Sequence, residues 1–492
     1  MRRPRARVLQ AAAVVVVAIV VSAQAWPVER PPAPLPDRPV AFPPYEIRTL
    51  DNGLQVLVVP HHEQPAVSFR LLIKAGAAQE PSDRPGVASV VAGLLAQGTT
   101  TRSAGEIATE IDSAGGFISA GSGNELSNVS GAVVKDRTDL ALGLAADLVE
   151  HPAFAPEEID RQRRQVLSAL QVNYDDPDYL ANLVFDRLVF GDHPYGRPTT
   201  PESVSRITRD DLVAYHRTWF VPNNALLAIV GDLTVDEAFA AARRAFGGWQ
   251  AREVPVVRAP APPAPVRRLV VVDRPGSAQT EIRVGHLGVA RTHPDYVALD
   301  LLIRILGGEG ANRLFGVLRS EHALTYGASA DLNTYKASGS FVAETDTRTE
   351  ATVEALRLMV DEVWRLQREP VDAAELEGAE RFLSGNFPLT IETPAAIAEQ
   401  VLVNLFYGID LREIETYRER VNRVSPDDIQ RVARAFLQPD HLAIVLVGDA
   451  AAFVPQLRAA GFDEFERIPI ADLDLNAPSL RRSAPGAGGA RD

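Results

Sequence analysis

Two stretches of this chain repeat each other in one unbroken register, 217 positions apart, and that repeat limits the fold more than any other feature. Arg206, Asp210, Asp211, Arg217, Pro222, Val230, Gly231 and Asp232 recur as Arg423, Asp427, Asp428, Arg434, Pro439, Val447, Gly448 and Asp449. Between them apolar positions match in kind: Ile207 with Val424, Leu212 with Ile429, Trp219 with Phe436. Each copy reads as a capped helix, a proline turn, a buried strand and a Gly-Asp turn. Shared composition scatters identities; eight in a single ungapped register indicate duplication. A chain of 492 residues is long enough for two cores. A proline-rich linker, 251–267, with Pro255, Pro260, Pro262, Pro263 and Pro265, separates an expected N-terminal domain, 46–250, from a C-terminal one, 268–470.

Within each half, strands come in groups and helices follow in groups. Asp51-Asn52-Gly53 marks a hairpin turn inside Ile47–Pro60. Strands are expected at 66–74, 116–122 and 126–135, and helices at 84–97, 104–113, 139–149, 156–171 and 179–189. The second half repeats the order, with strands near 269–272, 280–286, 326–334 and 339–345 and a helix at 294–306. This grouping predicts an α+β fold of two homologous domains, each a mainly antiparallel sheet with helices packed on one face.

The ends read differently. Arg2, Arg3, Arg5 and Arg7 precede a short apolar run, Ala11 to Val21, and small residues at Ser22-Ala23-Gln24-Ala25. That pattern predicts a signal peptide over 1–25, cleavage after export, and a periplasmic or secreted location. The apolar run is shorter than the ~20 residues that span a bilayer. Residues 26–45 form a proline-rich leader, and 471–492, rich in Ser, Arg, Pro, Gly and Ala, are expected to be a disordered tail. A formal charge of −14 argues against nucleic acid, which requires clustered cations. With no cysteine, disulfides and thiolate metal sites are excluded.

The segment Gly86-Val87-Ala88-Ser89-Val90-Val91-Ala92-Gly93-Leu94-Leu95-Ala96-Gln97-Gly98-Thr99 resembles the zinc-carrying helix of the insulinase/pitrilysin family of zinc peptidases. That family has the inverted motif H-x-x-E-H there. Ser89 and Gly93 stand where the two histidines would be, and Ala92 stands where the general-base glutamate would be. The resemblance places a further acidic ligand on a later helix, near Ala169, and no glutamate remains between Asp160 and Leu170. Leu50-Asp51-Asn52-Gly53-Leu54-Gln55-Val56, Gly115-Gly116, His193-Pro194-Tyr195-Gly196-Arg197-Pro198, Val230-Gly231-Asp232 and Leu306 to Phe315 are similar to further landmarks of the family, in order. In the second half Arg319 and Tyr326 match its arginine–tyrosine pair, which the resemblance implies hydrogen-bonds substrate carbonyls. A guanidinium and a phenol both donate to a carbonyl oxygen, where charge grows during attack.

Other candidates carry less. His61-His62-Glu63 lacks a third nearby ligand and reads as a solvated loop. His193 precedes a proline turn and reads as structural. The glycine loop at Gly308 ends in Arg313 and lacks the third glycine of a dinucleotide motif. No G-x-S-x-G elbow is present, and Lys74, Lys135 and Lys336 lie outside any phosphate loop.

The resemblance therefore implies a chain with no metal of its own, supplying Arg319 and Tyr326 to a zinc-bearing homologous subunit that acts on peptides. The alternative is a structural or binding scaffold of the same fold with no part in proteolysis. An autonomous peptidase with relocated ligands is disfavoured, because no other His/Glu cluster has ligand spacing.

Overall fold

The computed structural model describes residues 42–308 and 312–482. The expected signal peptide, the leader up to residue 41 and residues 483–492 of the tail lie outside them. The first half builds a six-stranded sheet from β1 (Glu46–Thr49), β2 (Gln55–Pro60), β3 (Ala66–Ile73), β4 (Phe117–Ser122), β5 (Ser127–Val134) and β6 (Ala225–Gly231). Its order is β1-β2-β6-β3-β5-β4, antiparallel except where β2 runs beside β6. The second half builds another from β7 (Arg268–Asp273), β8 (Gln279–Leu287), β9 (Ala328–Thr334), β10 (Gly339–Arg348), β11 (Ala443–Gly448) and β12 (Glu466–Pro469). Its order, β12-β7-β11-β8-β10-β9, repeats the first except at one edge, where β12 lies parallel to β7 and β1 lies antiparallel to β2.

The duplicated register is visible atom by atom. Helices Arg209–Trp219 and Pro426–Phe436 both begin with a reciprocal cap, Thr208 with Asp211 and Ser425 with Asp428. Each leads through a proline turn into a wholly buried strand, β6 or β11. Gly231 closes β6 at φ +148°, where a Cβ would come within 2.2 Å of the Ala66 carbonyl, so only glycine fits.

On one face each sheet is covered by helices of its own half, as the grouping predicts. The core over the first sheet joins Phe69, Leu71 and Ile73 to Val91, Leu95, Leu144 and Phe246. Over the second it joins Ile282, Val284 and Phe341 to Leu302, Leu356 and Val432. The opposite face holds a feature that the grouping does not contain: the halves exchange helices. Pro177–Phe190, from the first half, packs across β8 and β11; Pro394–Tyr407, from the second, packs across β3 and β6. The two helices lie 217 positions apart, in the register of the repeat. Leu180, Val184 and Phe185 bury against Val270, Val272, Val445 and Val447. Fully burying each such side chain contributes about 1.5–3 kcal/mol. Boundaries at 46–250 and 268–470 therefore describe the repeat, while the packing crosses them.

The expected disordered tail is corrected over 471–482. Leu473, Leu475 and Leu480 are buried in the core beneath Pro177–Phe190, and Leu473 pairs with Arg481. Three leucines among the Ser, Arg and Pro residues supply the apolar surface that overall composition conceals.

An arginine pins each exchanged helix to the sheet beneath it. Arg70 on β3 faces Ala228 and meets Glu399 at 2.8 Å; Arg283 on β8 faces Val445 and donates to Asn182 Oδ1 at 2.8 Å. Arg283 also donates to Asp178 and lies 3.5 Å from Glu281 and 3.3 Å from Glu344. Asn182 and Glu399 are again 217 apart. The pins differ in burial: the Arg283 side chain is 1% exposed, whereas Arg70 and Glu399 are 33% and 41% exposed. Breaking a buried pair strands its partners, while a half-exposed pair is screened. Arg283→Ala should cost about 1–3 kcal/mol in urea unfolding, because Glu281, 16% exposed, loses its cation while Asp178, 58% exposed, returns to water, and Arg70→Ala about 1 kcal/mol or less. Equal losses would contradict this assignment.

Candidate functional site

The helix Val87–Leu95 packs against β4 and β5 of the first sheet. Seven of its nine residues are buried; Ser89 and Gly93, one turn apart, form its open stripe. Ala92 is 2% exposed but stands outside the hydrophobic core, three positions from Ser89 on the same side of the helix. The helix starts without a side-chain cap of its own, after Gly86 at φ +101°. Glu80 fills that role, accepting the N–H of Gly86 at 2.9 Å and of Ala88 at 2.8 Å. Burial outweighs these donors and pushes the Glu80 carboxyl up to about 7.

Facing this stripe is Pro156–Tyr174, a long helix in which only Ile159 and Leu170 are buried. Its Gln162 side chain lies over Gly93: a Cβ added there would come 2.4 Å from Gln162 Nε2. Ala169 is exposed, two turns further along the same face. Gln162 escaped the sequence reading; its only signal was that seven-residue offset from Ala169. A hydroxyl, a methyl, a bare glycine, an exposed alanine and a neutral amide make up this pocket. Zinc needs imidazole, carboxylate or thiolate donors at ~2.0–2.3 Å, so this donor set does not fit the metal. Among the described residues no group of three or more His, Asp or Glu is placed to hold a metal ion.

Beside the vacated stripe, β4 pairs only with β5, leaving its outer edge free, and Phe117 at its start is 58% exposed. A free edge presents unpaired backbone donors and acceptors to an incoming strand.

Arg319 and Tyr326 are brought together in the second half. Arg319 lies on a π-helix, Phe315–Glu321, which ends through Ala323 at φ +52°. The amide of Ala323 donates to Arg319 O at 3.1 Å and that of Leu324 to Leu318 O at 2.8 Å, closing the turn. The Arg319 guanidinium donates to the Tyr326 carbonyl and stands 5.1 Å from the Phe315 ring centroid and 5.9 Å from that of Tyr326. Tyr326 itself is 80% exposed, just before β9. Together with Gln279, Asp346 and Arg348 the pair lines an open cleft of about 430 Å³.

The remaining candidates are tied into the scaffold. His62 Nδ1 lies 2.6 Å from Asp232 of the first Gly-Asp turn, which Lys135 also reaches at 3.1 Å. His193 accepts the Tyr195 N–H at 3.2 Å, capping the turn that follows the exchanged helix.

Duplicated α+β halves with exchanged helices, carrying an arginine–tyrosine pair in the second, match a peptidase scaffold. Residues 55–200 match the family model "Insulinase (Peptidase family M16)", and 206–383 match "Peptidase M16 inactive domain". An uncharacterized zinc protease of Mycobacterium tuberculosis is 28% identical, over 84% of this chain and 95% of the relative. A crystal structure of a peptidase M16 inactive domain from Pseudomonas fluorescens superposes with a TM-score of 0.77 at 27% identity, covering 82% of this chain and 98% of that one. A protease from Helicobacter pylori shares the fold, with a TM-score of 0.77 at 22% identity over 82% of this chain and 99% of that one. The chain belongs to the insulinase family of peptidases, family M16.

Two outcomes follow from this geometry. Glu80 has a folded value near 7, above its ordinary 4.5, so its stabilising contribution is full below 4.5 and lost as pH rises towards 7. Glu80→Gln should thus lose less Tm between pH 4.5 and 7.5 than the unmodified chain, as read by thermal melts across that range; parallel curves would refute it. Ala323→Gly should raise stability by about 1 kcal/mol, because glycine relieves the left-handed backbone, measured as an increased urea midpoint.

Proposed function

We propose that this chain is the exported, non-catalytic subunit of a two-chain peptidase, binding peptide for a zinc-bearing homologue. One observation carries the reading: the first-half pocket holds no group able to bind zinc or take a proton, while Arg319 and Tyr326 stand assembled and open in the second half. The guanidinium and the phenol donate to a substrate carbonyl as negative charge gathers on its oxygen. A charged hydrogen bond of this kind is worth about 1.5–3 kcal/mol. Zinc and general base come from the partner. An extended peptide adds as a strand to a free sheet edge, with its side chains alternating to either face. Among the described residues no helix is long and apolar enough to cross a membrane.

The test is co-expression with a zinc-bearing homologue, co-purification, and peptide turnover by the complex. Arg319→Ala should leave assembly intact and lower turnover about tenfold to a hundredfold; Tyr326→Phe should have a smaller effect. Chelation should abolish turnover by the complex and leave the Tm of this chain alone unchanged. Unchanged turnover in Arg319→Ala would favour a scaffold without a part in proteolysis. Stoichiometric zinc and peptide cleavage in the isolated chain would overturn the proposal.

A further inference from the structure

Both hairpins that end in a free edge strand, and both exchanged helices, meet at one carboxylate. Glu125 lies in the turn between β4 and β5, and it is 8% exposed. Tyr195, in the turn after the first exchanged helix, donates its phenol to Glu125 Oε1. Tyr407, the last residue of the second exchanged helix, donates to Oε2 at 3.0 Å. From the turn between β9 and β10, the Lys336 N–H reaches both oxygens, at 3.0 and 3.2 Å. The Lys336 ammonium turns away, 4.9 Å from the centre of the Phe406 ring. Tyr195 also accepts the Ala337 N–H at 3.4 Å and packs its ring 4.6 Å from that of Tyr335, on the same second-half hairpin.

Among the described residues no cation pairs with this buried carboxylate, and three donors from three separate segments replace the water it has lost. Burial first, and the Glu125 charge second, hold the Tyr195 and Tyr407 phenols well above their ordinary range, which keeps both protonated as donors. A surface ion pair could swing without consequence. A buried acceptor with fixed donors cannot, since each lost bond leaves a desolvated polar atom.

We infer that Glu125 is a positioning residue: it sets the first-half edge strand β4 against β9, and so fixes where the second half presents Arg319 and Tyr326. The functional consequence rests on the proposed peptidase role; the positional one does not. Tyr195 of the His-Pro-Tyr-Gly-Arg-Pro stretch holds the carboxylate of the first-half hairpin and packs on the second-half one.

The absence of cysteine allows a direct test on the full chain. Ser119→Cys on β4 and Asn333→Cys on β9 are exposed sites for a nitroxide pair, and pulsed electron–electron resonance then reads the distance between the two edges. The parent should give one narrow distribution. Glu125→Ala should broaden or shift it most, Glu125→Gln less, because an amide keeps one acceptor and turns a donor towards a phenol. Tyr407→Phe, which removes a single hydrogen bond, should broaden it least and serves if Glu125→Ala does not fold. In the two-chain complex Glu125→Gln should lower kcat several-fold with co-purification unchanged. Folded Glu125 and Tyr407 variants with the parent distribution would overturn the inference, whatever the fate of the peptidase reading. Altered distributions with no peptidase activity in any complex would sustain it and remove only the functional reading.

Discussion

The exchange of Pro177–Phe190 and Pro394–Tyr407 is the constraint on which the rest of the molecule depends. Each sheet is apolar on both faces, and its own half covers only one of them. The second sheet exposes Val270, Val272, Val445 and Val447 unless the first half lays a helix across them. The first sheet makes the same demand with Leu57, Val59, Leu226 and Val230, all buried. Neither half can satisfy its sheet alone, so the pair behaves as one folding body despite its repeated sequence. This also explains why the linker is free to be irregular: the halves are held by helices, not by the proline-rich connection between them.

The open stripe of Val87–Leu95 stands apart from the core. Ser89 and Gly93 form the outward stripe of their helix, and Ala169 is exposed on the facing helix, Pro156–Tyr174. Side chains there contribute little burial, and the helix start is secured by the Glu80 carboxylate. A structural zinc site would behave oppositely, since losing it removes folding free energy. Here the core that holds the fold and the open stripe beside it are separate sets of residues.

Legibility followed the physics of each feature. The hairpin at Asp51-Asn52-Gly53, the helix at 104–113 and a buried strand after the proline turn of each copy are local patterns, and the structure shows all of them, the strands at Ala225–Gly231 and Ala443–Gly448. The family frame was legible from motifs in order along the chain, and the comparisons bear it out. The helix exchange was not legible, since an amphipathic stretch declares an apolar face without naming the sheet that covers it. The buried leucines at 473, 475 and 480 were hidden by polar neighbours. Gln162 over Gly93 and the convergence on Glu125 depend on contacts between segments far apart in the chain, which no local pattern encodes.

The two sites differ in one further respect that bears on what the chain still does. At the vacated pocket the backbone is relaxed: a regular helix entered through a glycine at positive φ, where glycine bears no strain. At the Arg319–Tyr326 pair it is not. A π-helix and a left-handed alanine at φ +52° persist there, and a large aromatic ring stands 80% exposed. Such backbone features cost of order 1–3 kcal/mol each and survive only where the surroundings over-determine them. The π-turn is what brings the guanidinium onto the Tyr326 carbonyl and leaves the phenol outward. Phe154 at φ +45° and Leu480 at φ +56° bear the same left-handed cost elsewhere in the chain, and at Ala323 it is combined with a π-helix and an exposed phenol.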